Sequence, residues 1–251
     1  MTIFNHLDEF VRDAIVQFWN IRYEQIEKQK ASNKRDAGLR GAVTGGKQMS
    51  GFEKIAADIA LEKGFSQDCI YYASSLDLPG YFRPEKKWDL LIVDNNVLVA
   101  AIEFKSQVGP SFGNNFNNRT EEAIGTANDL WTAYREGVFG NQIKPWLGYL
   151  FVLEEHEKST CSIRLKESHF SVFEDFRASD YTKKNKKGVS YAKRYEILLT
   201  KLIKERFYDA GCLILSRYTQ PPSYIYPSHL LIAQRFFSHF AGHLEAHINS
   251  K

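Results

Sequence analysis

The stretch Trp88-Asp89-Leu90-Leu91-Ile92-Val93-Asp94-Asn95-Asn96-Val97-Leu98-Val99-Ala100-Ala101-Ile102-Glu103-Phe104-Lys105 decides how this chain folds. Two apolar runs, Trp88 to Val93 and Val97 to Lys105, flank Asp94-Asn95-Asn96, residue types that tolerate a tight turn, so the stretch reads as a β-hairpin. Side chains alternate along a strand, which puts Glu103 and Lys105 on one face with apolar Val97, Val99 and Ala101. A carboxylate and an ammonium at the end of such a strand must pair, bind a metal or reach solvent. The hairpin can also bring Asp89 beside Glu103.

Two carboxylates and a lysine on neighbouring strands suit one chemistry. Carboxylate oxygens hold a hard divalent cation. Such a cation polarises a phosphoryl oxygen and acidifies water, while a lysine offsets charge developing on the phosphate. A plain strand-end salt bridge is the alternative for Glu103 and Lys105. Glu85-Lys86-Lys87 repeats the Glu-x-Lys spelling in a polar stretch after Pro84 and reads as a decoy. Glu53, in the first turn of the preceding helix, is a further candidate for the metal site. It also completes Ser50-Gly51-Phe52-Glu53, a capping box in which Glu53 would only accept from the Ser50 amide.

Working outward, apolar residues at helical spacing (Leu7, Phe10, Val11, Ala14, Phe18, Ile21) predict a helix over 5–29, and Phe52, Ile55, Ala56, Ile59 and Ala60 predict another from Ser50 to Gly64. Between them lies a glycine-containing basic loop, with six Lys/Arg against one Asp from Lys28 to Lys47. Downstream, 106–119 reads as a Gly-, Asn- and Ser-rich loop and Thr120–Glu136 as a helix. Trp146–Glu154 reads as a buried strand, 190–207 as a helix, Cys212–Leu215 as a short strand and Ser228–Ile248 as the last helix. This order predicts an α/β fold, a mixed sheet flanked by helices, in a single domain spanning 1–251. Within it we distinguish a helical N-terminal segment (1–50), a catalytic core of about 50–155 and a basic, helical C-terminal segment (156–251).

The 251 residues are 43% hydrophobic and 25% charged, enough apolar material for a sizeable core and too much for general disorder. No apolar run reaches the roughly 18 residues of a membrane span, and the N-terminal residues do not spell a secretion signal. The cysteines, Cys69, Cys161 and Cys212, form no CxxC pair. The expectation is a reduced, cytoplasmic protein. A net charge of +3 permits a nucleic-acid partner without demanding one.

Nucleic-acid contacts nonetheless have candidates. Asn114, Asn115, Asn117 and Arg119 follow the candidate strand, and Asn and Arg pair bidentately with adenine and guanine. Asn118-Arg119-Thr120-Glu121 is itself a capping-box variant, making Asn118 structural. Nine Lys/Arg against three Asp/Glu between Asp180 and Arg206, concentrated at Lys183, Lys184, Lys186 and Lys187, suit phosphate contacts, as do Arg40 and Lys47 in the first basic loop. A solvated loop is the bland alternative for the Lys183–Lys187 cluster. His239, His243 and His247 share a helix face but lack HExxH, so a surface stripe is the reading there. His156-Glu157-Lys158 begins a phospholipase-D-type HxK motif, yet Ile163 stands where its Asp would be.

One long run is more specific than any of these. Ala101-Ile102-Glu103-Phe104-Lys105-Ser106-Gln107-Val108-Gly109-Pro110-Ser111-Phe112-Gly113-Asn114-Asn115-Phe116-Asn117-Asn118-Arg119-Thr120-Glu121-Glu122-Ala123, with Asp129–Gly137 and Pro145–Phe151, resembles the XhoI family of type II restriction endonucleases. The resemblance implies a PD-(D/E)xK nuclease fold, Mg²⁺ dependence, double-strand cleavage of the palindrome CTCGAG leaving 5′-phosphate ends, a homodimer, and a companion methyltransferase protecting the same site. It maps the metal Asp, the second carboxylate and the lysine onto Asp89, Glu103 and Lys105. Trp88 replaces the proline expected before Asp89, so Asp94 and Asp77 stand as substitutes. A structure-specific repair nuclease of the same fold and a catalytically dead DNA-binding module are the rival readings.

Overall fold

A computed structural model describes residues 2–31, 47–72, 76–167 and 169–251. Its centre is a six-stranded sheet of β1 (Ile70–Tyr72), β4 (Leu90–Asp94), β5 (Val97–Gln107), β6 (Trp146–Glu154), β9 (Ala210–Arg217) and β10 (Ser223–Ile225), in that order. β5, β6 and β9 run parallel, and the pairs at either side are antiparallel, so the sheet is mixed. Two small ribbons stand apart: β2 (Asp77–Leu78) with β3 (Lys86–Lys87), and β7 (Ile163–Arg164) with β8 (Lys187–Gly188).

Helices cover both faces. On one lie α1 (Leu7–Ala31), α2 (Ser50–Glu62) and α5 (Ala233–Asn249). On the other lie α3 (Phe112–Arg135) and α4 (Tyr191–Lys204), the crossovers that join the three parallel strands. Covering both faces explains why β6 is apolar almost without interruption. The expected α/β architecture is what the chain adopts. Among the described residues no helix is long and apolar enough to cross a membrane, and Cys69, Cys161 and Cys212 are all free thiols.

The hairpin turns as read: Asn95 and Asn96 hold φ of 50° and 63°, the left-handed region that asparagine tolerates. The strand faces depart from simple alternation. The β4–β5 register shifts at Ile92/Val93, and Val99 and Ala100 both pack in the α1/α2/α5 core while Ala101 packs in the other. Strict alternation therefore holds only from Ala100 onward, and Val99 does not share a face with Glu103.

Two helices also differ from the sequence expectation. Phe10 is 39% exposed, and Ile15 and Trp19 take its place in the buried stripe of α1. More consequentially, most of 106–119 is not a loop. β5 continues to Gln107, and α3 begins at Phe112, with Ser111 as its N-cap, so the Asn118 capping box does not form. Glycine and asparagine oppose helix by up to about 1 kcal/mol each. Packing overrides them here: Phe112 and Phe116 lie 6.4 and 6.3 Å from Tyr191, and Phe116 is 5.1 Å from Tyr195. Gly113 permits that approach, since a Cβ there would stand 2.7 Å from the Tyr191 hydroxyl.

Candidate active site

β5 outruns β4. Their pairing reaches only Leu90 opposite Ile102, so the next residue of each strand, Asp89 and Glu103, comes side by side at the ragged edge. Asp89 takes the place of a strand partner: its Oδ2 accepts from the Phe104 amide at 2.8 Å and from Lys105 Nζ at 2.7 Å. Lys105 also pairs with Glu103 Oε2, bridging the two carboxylates. Glu103 is 2% exposed, so this is no solvated strand-end salt bridge. Its second oxygen, Oε1, pairs with Lys86. The supposed decoy lysine thus stands inside the site.

Charge is unevenly comfortable here. Burial works against an anionic Glu103, but Lys105 and Lys86 outweigh it and hold the carboxyl at about 2. Burial, then the charge of Glu103, raises Asp89 to about 6 against the pull of Lys105. Glu53 rises to about 7, through burial first and the charge of Asp89 second, with Lys105 opposing. Burial would lower Lys105, but Glu103 and Asp89 keep it firmly protonated.

The capping-box reading of Glu53 fails. Met49 occupies the N-cap of α2 and makes no side-chain cap bond. The Ser50 hydroxyl instead donates to the Lys47 carbonyl at 2.7 Å and accepts from Gln17 Nε2 at 3.0 Å. Glu53 is therefore not held by a reciprocal cap, and its electrostatic neighbours are Asp89 and Lys105.

Among the described residues no three His, Cys, Asp or Glu side chains converge as a ready-made metal cage. The donor set still fits a hard cation of the magnesium type, which keeps several waters and needs only one or two carboxylates from protein. Asp89 and Glu103 would supply those oxygens, and burial together with a neighbouring carboxylate charge raises both Asp89 and Glu53 above the ordinary carboxylate range. Of the substitutes, Asp94 lies at the hairpin end, bound to His247 at 2.8 Å and to Lys251. Asp77 is on β2, opposite Lys87.

A cleft of about 210 Å³ opens beside this group, lined by Asp89, Lys105, Gln48, Asn115 and Arg119 among others. Because 115 and 119 are four apart on α3, both face it; Asn114 and Asn117 are exposed elsewhere on that helix. Arg119 is paired with Glu122. Lys183 and Lys184 are exposed, whereas Lys186 donates to the Glu167 carbonyl and Lys187 pairs with Asp180 at 2.9 Å. Lys47 is exposed on the turn before α2, and Arg40 lies outside the described residues. The histidines of α5 are not an idle surface stripe. His239 accepts from Trp146 Nε1 at 2.7 Å, His243 meets the Val99 carbonyl at 3.1 Å and His247 meets Asp94.

Three residues at the site escaped the sequence reading. Lys86 sits two residues before Trp88, and its ammonium lies 4.4 Å from that ring's centroid, a spacing that could have been a clue. Gln48 and Tyr149 are buried, and Gln48 Oε1 and the Tyr149 hydroxyl have no hydrogen-bond partner among the described residues. Tyr149 stands opposite Glu103 in the β5–β6 register. Nothing local in sequence marks either.

Residues 28–228 match the family model described as restriction endonuclease XhoI. The chain is 46% identical over 192 residues to the type II restriction enzyme BstVI of Geobacillus stearothermophilus, covering 74% of this chain and 81% of that protein. It is 46% identical over 202 residues to the type II restriction enzyme XhoI of Xanthomonas vasicola, covering 80% and 77%. It is 48% identical over 168 residues to the type II restriction enzyme AbrI of Azospirillum brasilense, covering 66% and 75%. No solved structure gives a significant match.

Proposed function

The chain belongs to the XhoI family of type II restriction endonucleases, and from that membership we propose a Mg²⁺-dependent enzyme that cuts both DNA strands at the palindrome CTCGAG. Its hydrolytic centre is Asp89, Glu103 and Lys105, with Glu53 beside them. The observation that carries this reading is the bridging Lys105 ammonium, which joins Asp89 at 2.7 Å and also Glu103 at the edge of the sheet.

Asp89 and Glu103 are the residues that would hold the cation. When bound, Mg²⁺ supplies Lewis acidity to the phosphoryl group and a lowered pKa to water. Lys105, kept protonated by its two carboxylates, presents positive charge to the scissile phosphate and to the charge that builds during attack. Glu53, with a carboxyl at about 7, can take up the proton that the attacking water sheds near neutral pH. Hydrolysis on the 3′-oxygen side leaves 5′-phosphate and 3′-hydroxyl ends.

Asn115 and Arg119 face the same cleft as Asp89 and Lys105, which supports a role in reading bases next to the cut. Asn114 and Asn117 extend that contact along α3, and Lys183, Lys184, Lys186, Lys187, Lys47 and Arg40 supply phosphate contacts. A palindrome is best read by a two-fold assembly, so the working form is a homodimer in the bacterial cytoplasm, with a methyltransferase shielding host sites. Digestion of phage DNA with Mg²⁺, followed by sequencing of the ends, tests the cleavage, its recognition site and its end chemistry. Discrete fragments ending within CTCGAG are expected. Cleavage at branched DNA regardless of sequence would replace this reading with a structure-specific nuclease, and binding without cleavage would replace it with a DNA-binding module.

A further inference from the structure

Each oxygen of Glu103 already carries an ammonium. Lys105 takes Oε2 and Lys86 takes Oε1, in a place where the carboxylate is 2% exposed. A divalent cation on either oxygen would stand within a few ångströms of an ammonium, so the two lysines oppose its binding while they are seated. Lys105 is the harder to move, because it is also tied to Asp89.

Lys86 is itself carefully held. It is on β3, where its partner is Leu78, a residue buried in the sheet's second core. Its Nζ donates to the Lys87 carbonyl at 2.8 Å and lies 4.4 Å from the ring centroid of Trp88, which is 1% exposed. An ammonium has three donors; one is on Glu103, one on the carbonyl, and the aromatic face accepts the charge from a third side. Its side chain is only 14% exposed. A lysine stabilising the ribbon alone would not need the buried carboxylate.

We propose that Lys86 is a resident counter-ion of Glu103, occupying the oxygen that a divalent cation needs and giving it up when a DNA phosphate enters the cleft. This rests on the assignment of Asp89 and Glu103 as the metal carboxylates. With both lysines seated, a divalent cation arriving alone brings two further positive charges to a place already neutralised, so the DNA-free enzyme binds it weakly. An entering phosphodiester brings a negative charge and a new partner for Lys86. Its departure frees Oε1. DNA and metal then bind cooperatively, and by linkage each strengthens the other by the same factor. Lys86 acts through Glu103, so it is a positioning residue, and it confines the loaded state to the DNA complex.

The test is calorimetric titration of the full-length protein with Ca²⁺, without DNA and with duplex carrying the site. Without DNA, Lys86→Gln should bind Ca²⁺ at least tenfold more tightly than the unsubstituted protein, and Lys86→Arg should match the unsubstituted protein. DNA should tighten Ca²⁺ binding far less in Lys86→Gln. Lys86→Met, whose flexible apolar stem can stay on Trp88, serves as the second neutral variant should Lys86→Gln fail to fold by circular dichroism. Unchanged or weaker Ca²⁺ affinity in the neutral variants overturns the proposal. Glu103→Gln separates the two layers. Loss of Ca²⁺ binding there supports the underlying metal site whatever Lys86 does, whereas undiminished binding overturns that site and the proposal with it.

Discussion

Glu53→Gln should make this protein more stable and less active, and the gain should depend on pH in a defined direction. The Glu53 carboxyl rises from an ordinary 4.5 to about 7, first through burial and then through the charge of Asp89. A raised carboxyl means that the folded state holds the proton more tightly than the unfolded chain. Stability from this group is therefore intact below about pH 4.5, falls as pH rises toward 7, and stays low above it. The full displacement corresponds to about 3 kcal/mol. Glu53 is partly exposed, so solvent screening reduces this to about 1–2 kcal/mol. Glutamine keeps the shape and has no charge to desolvate. In excess chelator at about pH 8, Glu53→Gln should melt roughly 2–8 °C above the unsubstituted protein, at about 2–4 °C per kcal/mol for a chain of this size. At about pH 5 most of that gain should vanish. The same change should slow Mg²⁺-supported cleavage at least about 100-fold, the usual worth of a positioned general base. Calorimetric melts at the two pH values, beside a plasmid digest, make the measurement. A variant that melts at or below the unsubstituted protein at pH 8, or shows the same shift at both pH values, refutes the electrostatic account; full activity refutes the catalytic one.

Other outcomes follow from the same geometry. Glu103→Ala and Lys105→Ala should each abolish plasmid cleavage while gel shifts still report DNA binding; Glu103→Ala should also lower the melting temperature, because it leaves Lys86 without the buried carboxylate it faces. Mg²⁺ should support cutting and Ca²⁺ only binding, since Ca²⁺ takes more ligands at longer distance; cleavage that survives excess chelator would rule out the proposed mechanism. Asn115→Ala and Arg119→Ala should each weaken discrimination at one base pair by about 1–3 kcal/mol. Neutralising exposed Lys183 and Lys184 should weaken binding to all sequences and flatten its salt dependence. Binding to single-base variants at several salt concentrations distinguishes these two classes, and the opposite pattern would exchange their roles.

Much of the fold was legible because its signals are local. The Asp94-Asn95-Asn96 turn sits between two apolar runs, and β6 is a long apolar run that only a doubly covered strand can bury. What failed was the stretch whose conformation is decided from elsewhere. Gly113, Asn114, Asn115, Asn117 and Asn118 all argue against helix on propensity, and they are helical because α4 presents Tyr191 and Tyr195 to Phe112 and Phe116. Those partners are more than seventy residues away in the chain, so no window on 106–119 could reveal them. The bulge at Ile92/Val93 is a similar case. It takes Val99 off the face of Glu103 while leaving the hydrophobic pattern of either strand unremarkable.

The site divides along the same line. Asp89, Glu103 and Lys105 could be placed together because a hairpin fixes register, and register fixes which side chains meet. Lys86 could not, because the residue that gives it meaning is Glu103 on β5 of the main sheet, while Lys86 sits in a separate ribbon whose two strands are only two residues long each. Read as a triplet, Glu85-Lys86-Lys87 imitates the catalytic pattern and invites dismissal. Read in space, its middle residue closes the charge balance of the pattern it imitates: Glu103 is buried and anionic only because two ammonium groups reach it. A buried carboxylate inferred from sequence therefore carries a demand for counter-charge that the local strand need not meet alone. Lys105 answers some of that demand and is shared with Asp89. The remainder had to come from some other segment, and the lysine next to a buried tryptophan was the chemically prepared candidate.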